Sequence, residues 1–313
     1  MAQLPAVVVA GELYIDLVLS GFDGWPTPGK EIFAKNFRRD IGGGAAITAS
    51  ALARLETHAG IFGVLGADSR EWFLHRLAES RVDTAWIEQD DNEITAFSVV
   101  ASAGGDRGFL SYHGANRRLP EILKQAAREK VFHGVRHVHL SYAPELETSA
   151  VLFENLRSAG CTVSLDVGWH EHWLANRDWF AVLQAIDIFF PNHVEATSMT
   201  GEQDPGKILD CFASQGLRRV ALKLGSTGAA LLWEGKRCTV PPHPVTTVDT
   251  TGAGDCFDAG FLHAWLNQWP PELCLQAGNI CGALSTEAYG GIAGVPSAER
   301  LRDEMSGGPV CAK

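Results

Sequence analysis

The residues best suited to chemistry form a short turn late in the chain, Gly252-Ala253-Gly254-Asp255, followed by an apolar run at 256–262. Glycine and alanine let the backbone approach an anion, and a helix start directs free N–H groups and partial positive charge towards it. An aspartate in that first turn can accept a proton from an attacking hydroxyl beside a phosphoryl group. The turn therefore predicts a phosphate site with Asp255 as general base, although an acid there also stabilises a helix start by itself.

A second glycine-rich turn, Gly42-Gly43-Gly44-Ala45-Ala46, leads into a stretch with helical composition at 47–55. Its small residues allow the backbone to lie close to a bound ligand before the helix packs on a sheet. A dinucleotide fingerprint would need G-x-G-x-x-G directly after the first strand. Here Gly11-Glu12 follows that strand. We interpret the turn as a ligand-binding one, and a purely packing role is the alternative.

Alternating strands and helices must position these turns. Short buried apolar runs occur at 7–10, 61–64, 135–140, 161–165, 186–190 and 220–224. Helix-like stretches lie at 44–55, 69–80, 120–131, 147–158, 172–184, 205–215, 253–267 and 271–287. This alternation predicts an α/β fold, a doubly wound, mainly parallel sheet with helices on both faces. A hairpin is expected within 231–240.

Two segments, 12–40 and 92–112, break the alternation with strand-like patterning, and they predict a small antiparallel sheet inserted in the core. An insertion at the carboxyl ends of parallel strands lies beside the usual ligand crevice, so this sheet is expected to be a lid. The α/β core domain then comprises residues 1–11, 41–91 and 113–313. Apolar lid residues make a homodimer through the lid a further expectation, at Ile32, Phe33, Phe97 and Val99.

Composition excludes several classes of protein. Acidic residues outnumber basic ones by 37 to 26, a formal charge of -11, which argues against nucleic acid as a partner. No uncharged apolar run is long enough for a membrane helix and no basic leader precedes one, so a cytoplasmic protein without a membrane partner is expected. Seven scattered cysteines without a CxxC pair predict reduced thiols. The histidine pairs His137/His139 and His170/His172 lack an evident third zinc ligand.

Together these motifs resemble the ribokinase-like (PfkB) family of carbohydrate kinases over nearly the whole chain. Other parts of the sequence stand in the same order as in that family, namely Gly11 with Asp16 and the segments 64–68, 82–84, 114–116, 191–195 and 223–228, with Asp166 between them. The closing Gly252–Asp255 motif is the most specific element of the resemblance.

The resemblance implies an ATP-dependent kinase that transfers the γ-phosphoryl group of MgATP to a sugar hydroxyl. It implies that Asp255 is the catalytic base and that Gly252, Ala253 and Gly254 form the anion hole. It further assigns nucleotide-binding positions, which are Asn192, Glu195, Lys223, Gly225, Gly228 and Asn279. Glu195 would meet magnesium through water. Asn192 and Glu195 otherwise fit a helix N-cap and a surface acid, and Asn279 an exposed helix residue.

On the substrate side, the resemblance places Asp16, Gly42, Gly43 and Ile47 at the sugar. Most sugar kinases of the family carry asparagine at position 47 and many carry it at the position of Gly168, so this chain lacks two polar partners. A neutral sugar that differs from ribose in at least one hydroxyl is therefore predicted, since a buried unpaired hydroxyl costs about 1 to 3 kcal/mol. Many members also bind a monovalent cation, commonly potassium, at positions that correspond here to Asp249, Thr251, Ser285 and Gly290.

Two alternatives stay open at this point. A kinase of the same scaffold could phosphorylate a nucleoside or another small alcohol, which would require stacking aromatic residues in the substrate pocket. A sugar-responsive binding protein without catalysis is the alternative from a different class, although the intact Asp255 and its glycines argue against an inactive site.

Overall fold

Strands and helices alternate along most of the chain. The structure, a computed structural model, describes residues 4–25, 27–103, 106–176 and 178–306, without the side chains of 102, 103, 106, 107, 147 and 148. Within those residues the strands are β1 (Val7–Gly11), β2 (Tyr14–Ser20), β3 (Asn36–Gly42), β4 (Ala59–Gly66), β5 (Asp83–Asp90), β6 (Phe97–Ala103), β7 (Asp106–Tyr112), β8 (His137–Ser141), β9 (Thr162–Asp166), β10 (Ile188–Phe189), β11 (Arg219–Lys223), β12 (Ala229–Trp233) and β13 (Lys236–Val240).

The α-helices lie between and after these strands. Their bounds are α1 (Gly44–Arg54), α2 (Arg70–Ala78), α3 (Leu119–Arg128), α4 (Leu146–Ser158), α5 (Glu171–Ala175), α6 (Trp179–Gln184), α7 (His193–Thr200), α8 (Pro205–Ser214), α9 (Ala253–Leu266), α10 (Pro271–Ser285) and α11 (Ala298–Ser306).

The larger sheet has the strand order β13-β12-β11-β10-β9-β8-β1-β4-β5 in the described part of the chain. The strands from β11 to β5 pair in parallel, while β12 and β13 form an antiparallel hairpin at one edge. Successive β1 side chains enter opposite cores. Val7 and Val9 pack on the face that α1, α9 and α10 cover, and Val8 packs on the face that α3, α4 and α8 cover. The predicted doubly wound α/β fold is confirmed.

A separate smaller sheet has the order β3-β2-β6-β7 and is built from the two segments that broke the alternation. Its β2–β3 and β6–β7 pairs are antiparallel, but β2 and β6 run parallel. The expectation of an entirely antiparallel sheet is therefore wrong. The reason lies in the core: β1 and β5 run in the same direction, and β2 and β6 each continue the chain beyond one of them.

Several elements differ from the sequence prediction. The predicted helix at 172–184 is two short helices, α5 and α6, because Asn176 between them is extended. Strand β5 was not predicted since it is an edge strand with polar, partly exposed residues. The largely polar α11 was not predicted, and the sequence indicated α7 only through the alternative role of Asn192 as a helix N-cap.

Candidate active site

A pocket of about 160 Å³ opens where the core strands end. Its walls come from the ends of β1, β8 and β9 and from the starts of α1 and α9, all at the carboxyl edge of the parallel sheet. Ligands bind at this edge in open α/β sheets because crossover helices leave a crevice there. The lining residues are Glu12, Tyr14, Gly43, Gly44, Ser141, Tyr142, Asp166, Val167, Gly168, His170 and Asp255.

The two glycine-rich turns, about 200 residues apart in the chain, meet at Asp255. A methyl group placed on Gly44 would lie 2.7 Å from Oδ1 of Asp255 and would overlap the Ser141 hydroxyl. Gly43 has φ 88° and packs against the Glu12 carbonyl, so a side chain there would be both strained and obstructed. Thr48 of α1 donates to the Asp255 carbonyl at 3.3 Å. Because Gly43 and Gly44 have no side chains, Asp255 can lie against the first turn of α1.

The Gly252–Asp255 turn has the geometry of an anion site. Gly252 is left-handed, with φ 72°, and begins the 14-residue helix α9. Gly254 and Asp255 lie in the first turn of α9, where N–H groups have no carbonyl partner within the helix and can bind an oxyanion, and the Asp255 N–H also hydrogen-bonds its own carboxylate. Ile47 packs behind the turn, since a methyl group on Gly252 would lie 3.1 Å from its side chain. Ile47 thus supports the turn and is not part of the pocket wall.

A buried charge cluster lies beneath this turn, and we call Lys223, Asp166 and Asp258 the core cluster. The Lys223 ammonium donates to Asp166 Oδ2 at 2.7 Å and to Asp258 at 3.3 and 3.4 Å. Asp166 ends β9, Lys223 ends β11 and Asp258 is on α9, so three elements converge on one ammonium group. His139, on β8, lies 3.9 Å from Asp258. Lys223 is buried, and its predicted role in nucleotide binding stays a prediction.

Burial and neighbouring charges shift the pKa values in this region. The pKa of Asp255 is raised to about 7, chiefly by burial and next by the Asp166 charge, while Lys223 acts in the opposite direction. Burial also raises the pKa of Asp166, but its ion pair with Lys223 outweighs this and lowers that pKa below the usual range. Burial raises the pKa of Asp258. A pKa of about 7 lies in the range that suits a general base at neutral pH.

Asn192 and Glu195 begin α7 as a reciprocal capping box. The Asn192 side chain accepts from the Glu195 N–H at 2.9 Å, and Glu195 accepts from the Asn192 N–H at 2.9 Å. Asn192 is thus an N-cap, while Glu195 is buried and is not a surface acid. Burial raises the pKa of Glu195 to about 7, and Asp166 adds to the rise. Carboxylate oxygens have spare lone pairs for a metal-bound water, so Glu195 fits the magnesium shell.

The loop after β11 carries the other nucleotide-binding candidates. Gly225 and Gly228 both have positive φ, 56° and 103°. A side chain on Gly225 would enter open space, whereas one on Gly228 would overlap the Val240 carbonyl. Asn279, which is half-buried, donates to the Pro241 carbonyl at 2.9 Å. The loop therefore leaves one open face beside Gly225.

In the smaller sheet, Asp16 lies next to Gly42. The two are so close that a methyl group on Gly42 would overlap the Asp16 carboxylate. Asp16 is paired with Asp40 in the β2–β3 register. Burial raises the pKa of Asp16 to about 6, and the Asp40 charge adds to this. Asp16, Gly42 and Ile47 do not line the 160 Å³ pocket, whereas Gly43 does.

Two arginines fix Asp40, and we call Asp40, Arg38 and Arg76 the lid-base cluster. Arg76 of α2 donates to Asp40 at 3.0 Å, and Arg38 binds the same carboxylate. Burial raises the pKa of Asp40, but these hydrogen bonds outweigh it and keep that pKa below its usual value. Arg38 also donates to the Tyr289 carbonyl at 2.8 Å. The cluster joins β3 to the core on two sides.

The positions suggested for a monovalent cation are partly brought together. Asp249 accepts from the Thr251 N–H at 2.8 Å and from the Gly290 N–H at 3.0 Å. The buried Ser285 hydroxyl donates to Gly282 of its own helix at 2.8 Å. Asp249, Thr251 and Gly290 thus form one small loop structure, which Ser285 does not join through its hydroxyl.

Several pocket residues escaped the sequence analysis. Glu12, Tyr14, Ser141, Tyr142 and His170 all line the pocket. The Tyr14 hydroxyl lies 3.1 Å from both Glu12 and His113. The available signal was position alone, because each residue ends a strand or follows one within a few positions. No helix in the described ranges combines the length and apolar character that a membrane span needs.

Comparison with known proteins places this geometry in context. Residues 5–298 match the model of the pfkB family of carbohydrate kinases. The ATP-dependent ribose-1-phosphate kinase of Halopiger xanaduensis is 32% identical over 303 residues, covering 96% of this chain and 98% of that protein. The 2-dehydro-3-deoxygluconokinase of Bacillus subtilis is 27% identical, covering 86% and 88%. The structure of Arabidopsis thaliana ribokinase with ribose and ATP has a TM-score of 0.81 and 26% identity, covering 97% and 99%.

Proposed function

The chain belongs to the pfkB family of carbohydrate kinases, and from this membership we propose that it transfers the γ-phosphoryl group of MgATP to a hydroxyl of a neutral sugar, with Asp255 as general base. The predicted activity of a carbohydrate kinase is confirmed by the family, so the non-catalytic binding protein is no longer an alternative. One observation carries the finer proposal: Asp255 and both glycine-rich turns share one pocket at the carboxyl edge of the sheet.

The chemistry follows from the position of the carboxylate. A sugar hydroxyl in the pocket gives its proton to Asp255 as its oxygen bonds to the γ-phosphorus, and the bond from that phosphorus to the bridging oxygen breaks to release ADP. The N–H groups in the first turn of α9, above all that of Gly254, stabilise the charge on the transferring group. Ile47 and Thr48 hold this turn from behind. The anion hole is therefore supported by α1 before substrate arrives.

The nucleotide is proposed to bind on the side of Asn192, Glu195 and the Gly225–Gly228 loop. Magnesium would neutralise charge on the phosphates there. The buried Glu195 carboxylate supports this because it can accept hydrogen bonds from the ion's water shell while it caps α7. Potassium near Asp249, Thr251 and Gly290 is a further proposal, supported by the loop that these residues form.

The sugar is proposed to bind between the two sheets. Gly43 faces the pocket, and Asp16 lies beside Gly42 on the smaller sheet, which we propose is a lid. The described arginines nearest the lid base are already engaged: Arg38 binds Asp40, and Arg39 stacks on Trp72 at 3.9 Å. Arg107, the third lid arginine, has a side chain outside the described residues. These contacts favour a neutral sugar over an anionic one.

A nucleoside acceptor is the second candidate, and a specific observation favours it. Tyr14 and Tyr142 both line the pocket, so aromatic surfaces are available to a base. The Tyr14 hydroxyl is bound to Glu12, which holds its ring in place. This candidate differs from the first in the acceptor alone.

The homodimer through the lid and the cytoplasmic location also remain proposals. Exposed apolar residues on the smaller sheet support the dimer, since Phe109 is 59% and Leu110 is 75% exposed. The apolar residue Phe33, in the loop between β2 and β3, is 77% exposed. Light scattering of the purified protein would show twice the monomer mass if the lids pair.

A substrate panel tests the proposed function. ADP formation and the phosphorylated product are measured for D-ribose, D-fructose, ribose 1-phosphate, 2-keto-3-deoxygluconate and adenosine, with Asp255→Asn as the matched control. We expect the highest kcat/KM for a neutral sugar, and at most about a hundredth of that activity in the control. The ranking of ribose and its competitors in Ile47→Asn then shows whether position 47 affects the choice. ADP release without phosphorylated product would contradict the proposal, and adenosine as the best acceptor would establish the second candidate.

A further inference from the structure

The core cluster lies close enough to Asp255 to act on it. A methyl group on Gly254 would be only 3.4 Å from the Lys223 ammonium nitrogen, so that charge sits just beneath the proposed anion hole. Asp255 and Asp258 are three residues apart on α9 and therefore point towards the same side of the helix. The lysine side chain and both of its carboxylate partners are at most 10% exposed.

The charges that act on Asp255 are unbalanced. In the described part of the chain, Lys223 is the cation among them, and the others are carboxyl groups, at Asp16 on β2, Asp166 on β9, Glu195 on α7 and Asp258 on α9. Glu12 and His170 line the same pocket. His139, which packs against Asp258, stays neutral because burial lowers its pKa to about 4.

We propose that Lys223 is a positioning residue for phosphoryl transfer: held between Asp166 and Asp258, its ammonium group stabilises the carboxylate form of Asp255. This inference rests on the proposed role of Asp255 as general base. Lys223 touches neither of the reacting groups, and its effect passes through the charge of Asp255.

The alternative is that the core cluster only stabilises the fold. Buried ion pairs are poor stabilisers, because the cost of removing both charges from water offsets much of their attraction. An apolar residue would pack at Lys223 with less desolvation. The cluster is also placed at the one edge of the sheet where the pocket lies, while the rest of both cores is largely apolar. The position of the core cluster beside the pocket therefore favours a role for its charges in the active site over a purely structural role.

The test measures the Asp255 carboxyl directly. Protein with ¹³C-labelled aspartate carboxyl groups is titrated by NMR between pH 5 and pH 9, and the Asp255 signal is assigned by its loss in Asp255→Asn. In Lys223→Met, which keeps the length of the side chain but removes its charge, we expect the pKa of Asp255 to rise by about one or more, as loss of a neighbouring opposite charge does. The titration needs no sugar, so it stands even if the substrate panel fails.

A second variant, with the opposite expected effect on the pKa of Asp255, separates an electrostatic role from a structural one. Asp166→Asn removes a carboxylate that raises the pKa of Asp255, so this pKa should fall. Damage to packing would not move the pKa in opposite directions in the two variants. If Lys223→Met fails to fold, Asp166→Asn still decides, because a rise or no change there overturns the proposal.

His139→Gln is the matched control. It alters the same buried region beside Asp258 without changing the charge, since His139 is neutral across the titration range. We expect a lower melting temperature but an unchanged Asp255 titration. With the best sugar of the panel at saturating MgATP, the acidic limb of kcat/KM should move upwards in Lys223→Met, so that activity lost at pH 7 is partly recovered at pH 9. A loss of equal size at every pH would overturn the proposal.

Discussion

The core cluster and the lid-base cluster hold opposite balances of charge. In the core cluster one ammonium group serves two carboxyl groups, with Asp255 and Glu195 close by. In the lid-base cluster two guanidinium groups serve the single carboxylate of Asp40. The first is fully buried, while Arg38 and Arg76 are 41% and 34% exposed at their side chains.

The difference determines what each cluster can do. Where carboxylates outnumber cations in a buried region, some of them gain protons near neutral pH, which is the property a general base needs. Where cations outnumber carboxylates near solvent, the acid stays ionised and the pair ties two elements together. Asp255 and Asp40 show these two outcomes, with pKa values raised and lowered. The charge balance of the core cluster thus suits the proton transfer proposed for Asp255, whereas the lid-base cluster ties β3 to α2.

The largest expected effect is on catalysis. Asp255→Asn should reduce kcat by about 10² to 10⁴, because the sugar hydroxyl then has no acceptor for its proton. Nucleotide binding, measured by calorimetry, should be largely unchanged. The reference variant from the lid-base cluster is Asp40→Asn, which should lose far less. A kcat above about a tenth of wild type in Asp255→Asn would contradict its role as base.

The same variant should gain stability. The pKa of Asp255 is raised from 3.8 to about 7, so ionisation destabilises the folded state progressively as the pH rises between these values. Asp255→Asn removes that effect and should be more stable at pH 8 by up to about 4 kcal/mol, with the difference vanishing near pH 4. Melting curves at both pH values measure this. A variant less stable than wild type at pH 8 would show that the carboxylate is not under strain.

Glu195→Gln tests whether the site has separate nucleotide and sugar sides. We expect several-fold more magnesium to be needed for half-maximal activity, with little change in KM for the sugar, because Glu195 lies at the start of α7 and Asp16 on the smaller sheet. Asp16→Asn should show the reverse pattern. Equal losses on both sides in either variant would mean that the two regions act as one.

The smallest effect belongs to the lid-base cluster. Arg76→Met removes one partner of Asp40 but keeps an apolar stem, so unfolding should become easier by only about 0.5 to 1 kcal/mol. Because the pair is partly exposed, the difference from wild type should shrink in 1 M NaCl. Lys223→Met serves for comparison, since the stability change of a buried pair should be insensitive to salt. A salt-independent loss in Arg76→Met would remove the distinction between the clusters.

The sequence predicts those parts of the site that depend on backbone geometry. Gly43 and Gly252 could be identified because close approach and positive φ demand a residue without a side chain. The core cluster could not, since Asp166, Lys223 and Asp258 are far apart in the chain and only the strand order brings them together. Ile47 shows a related limit: its type indicated an absent polar partner, but its position behind Gly252 depends on how α1 packs on α9.

The fold itself was predictable where strands are buried on both faces, as at β1, and not where they lie at an edge, as at β5. The direction of β6 relative to β2 also required the complete sheet, because these strands pair across about 80 residues of intervening chain.

Strand β1 lies inside the larger sheet, between two neighbours that follow it in the chain, and this affects how the nascent protein can assemble. Strand β1 is synthesised before both of its neighbours, β4 on one side and β8, residues 137–141, on the other. At synthesis rates of about 5 to 20 residues per second, β1 waits on the order of ten seconds for its second neighbour. During that interval one edge of an entirely buried apolar strand has no partner. Asp255, the proposed general base, lies far beyond β8 in the chain and is synthesised later still, so β1 has both neighbours before the pocket is complete.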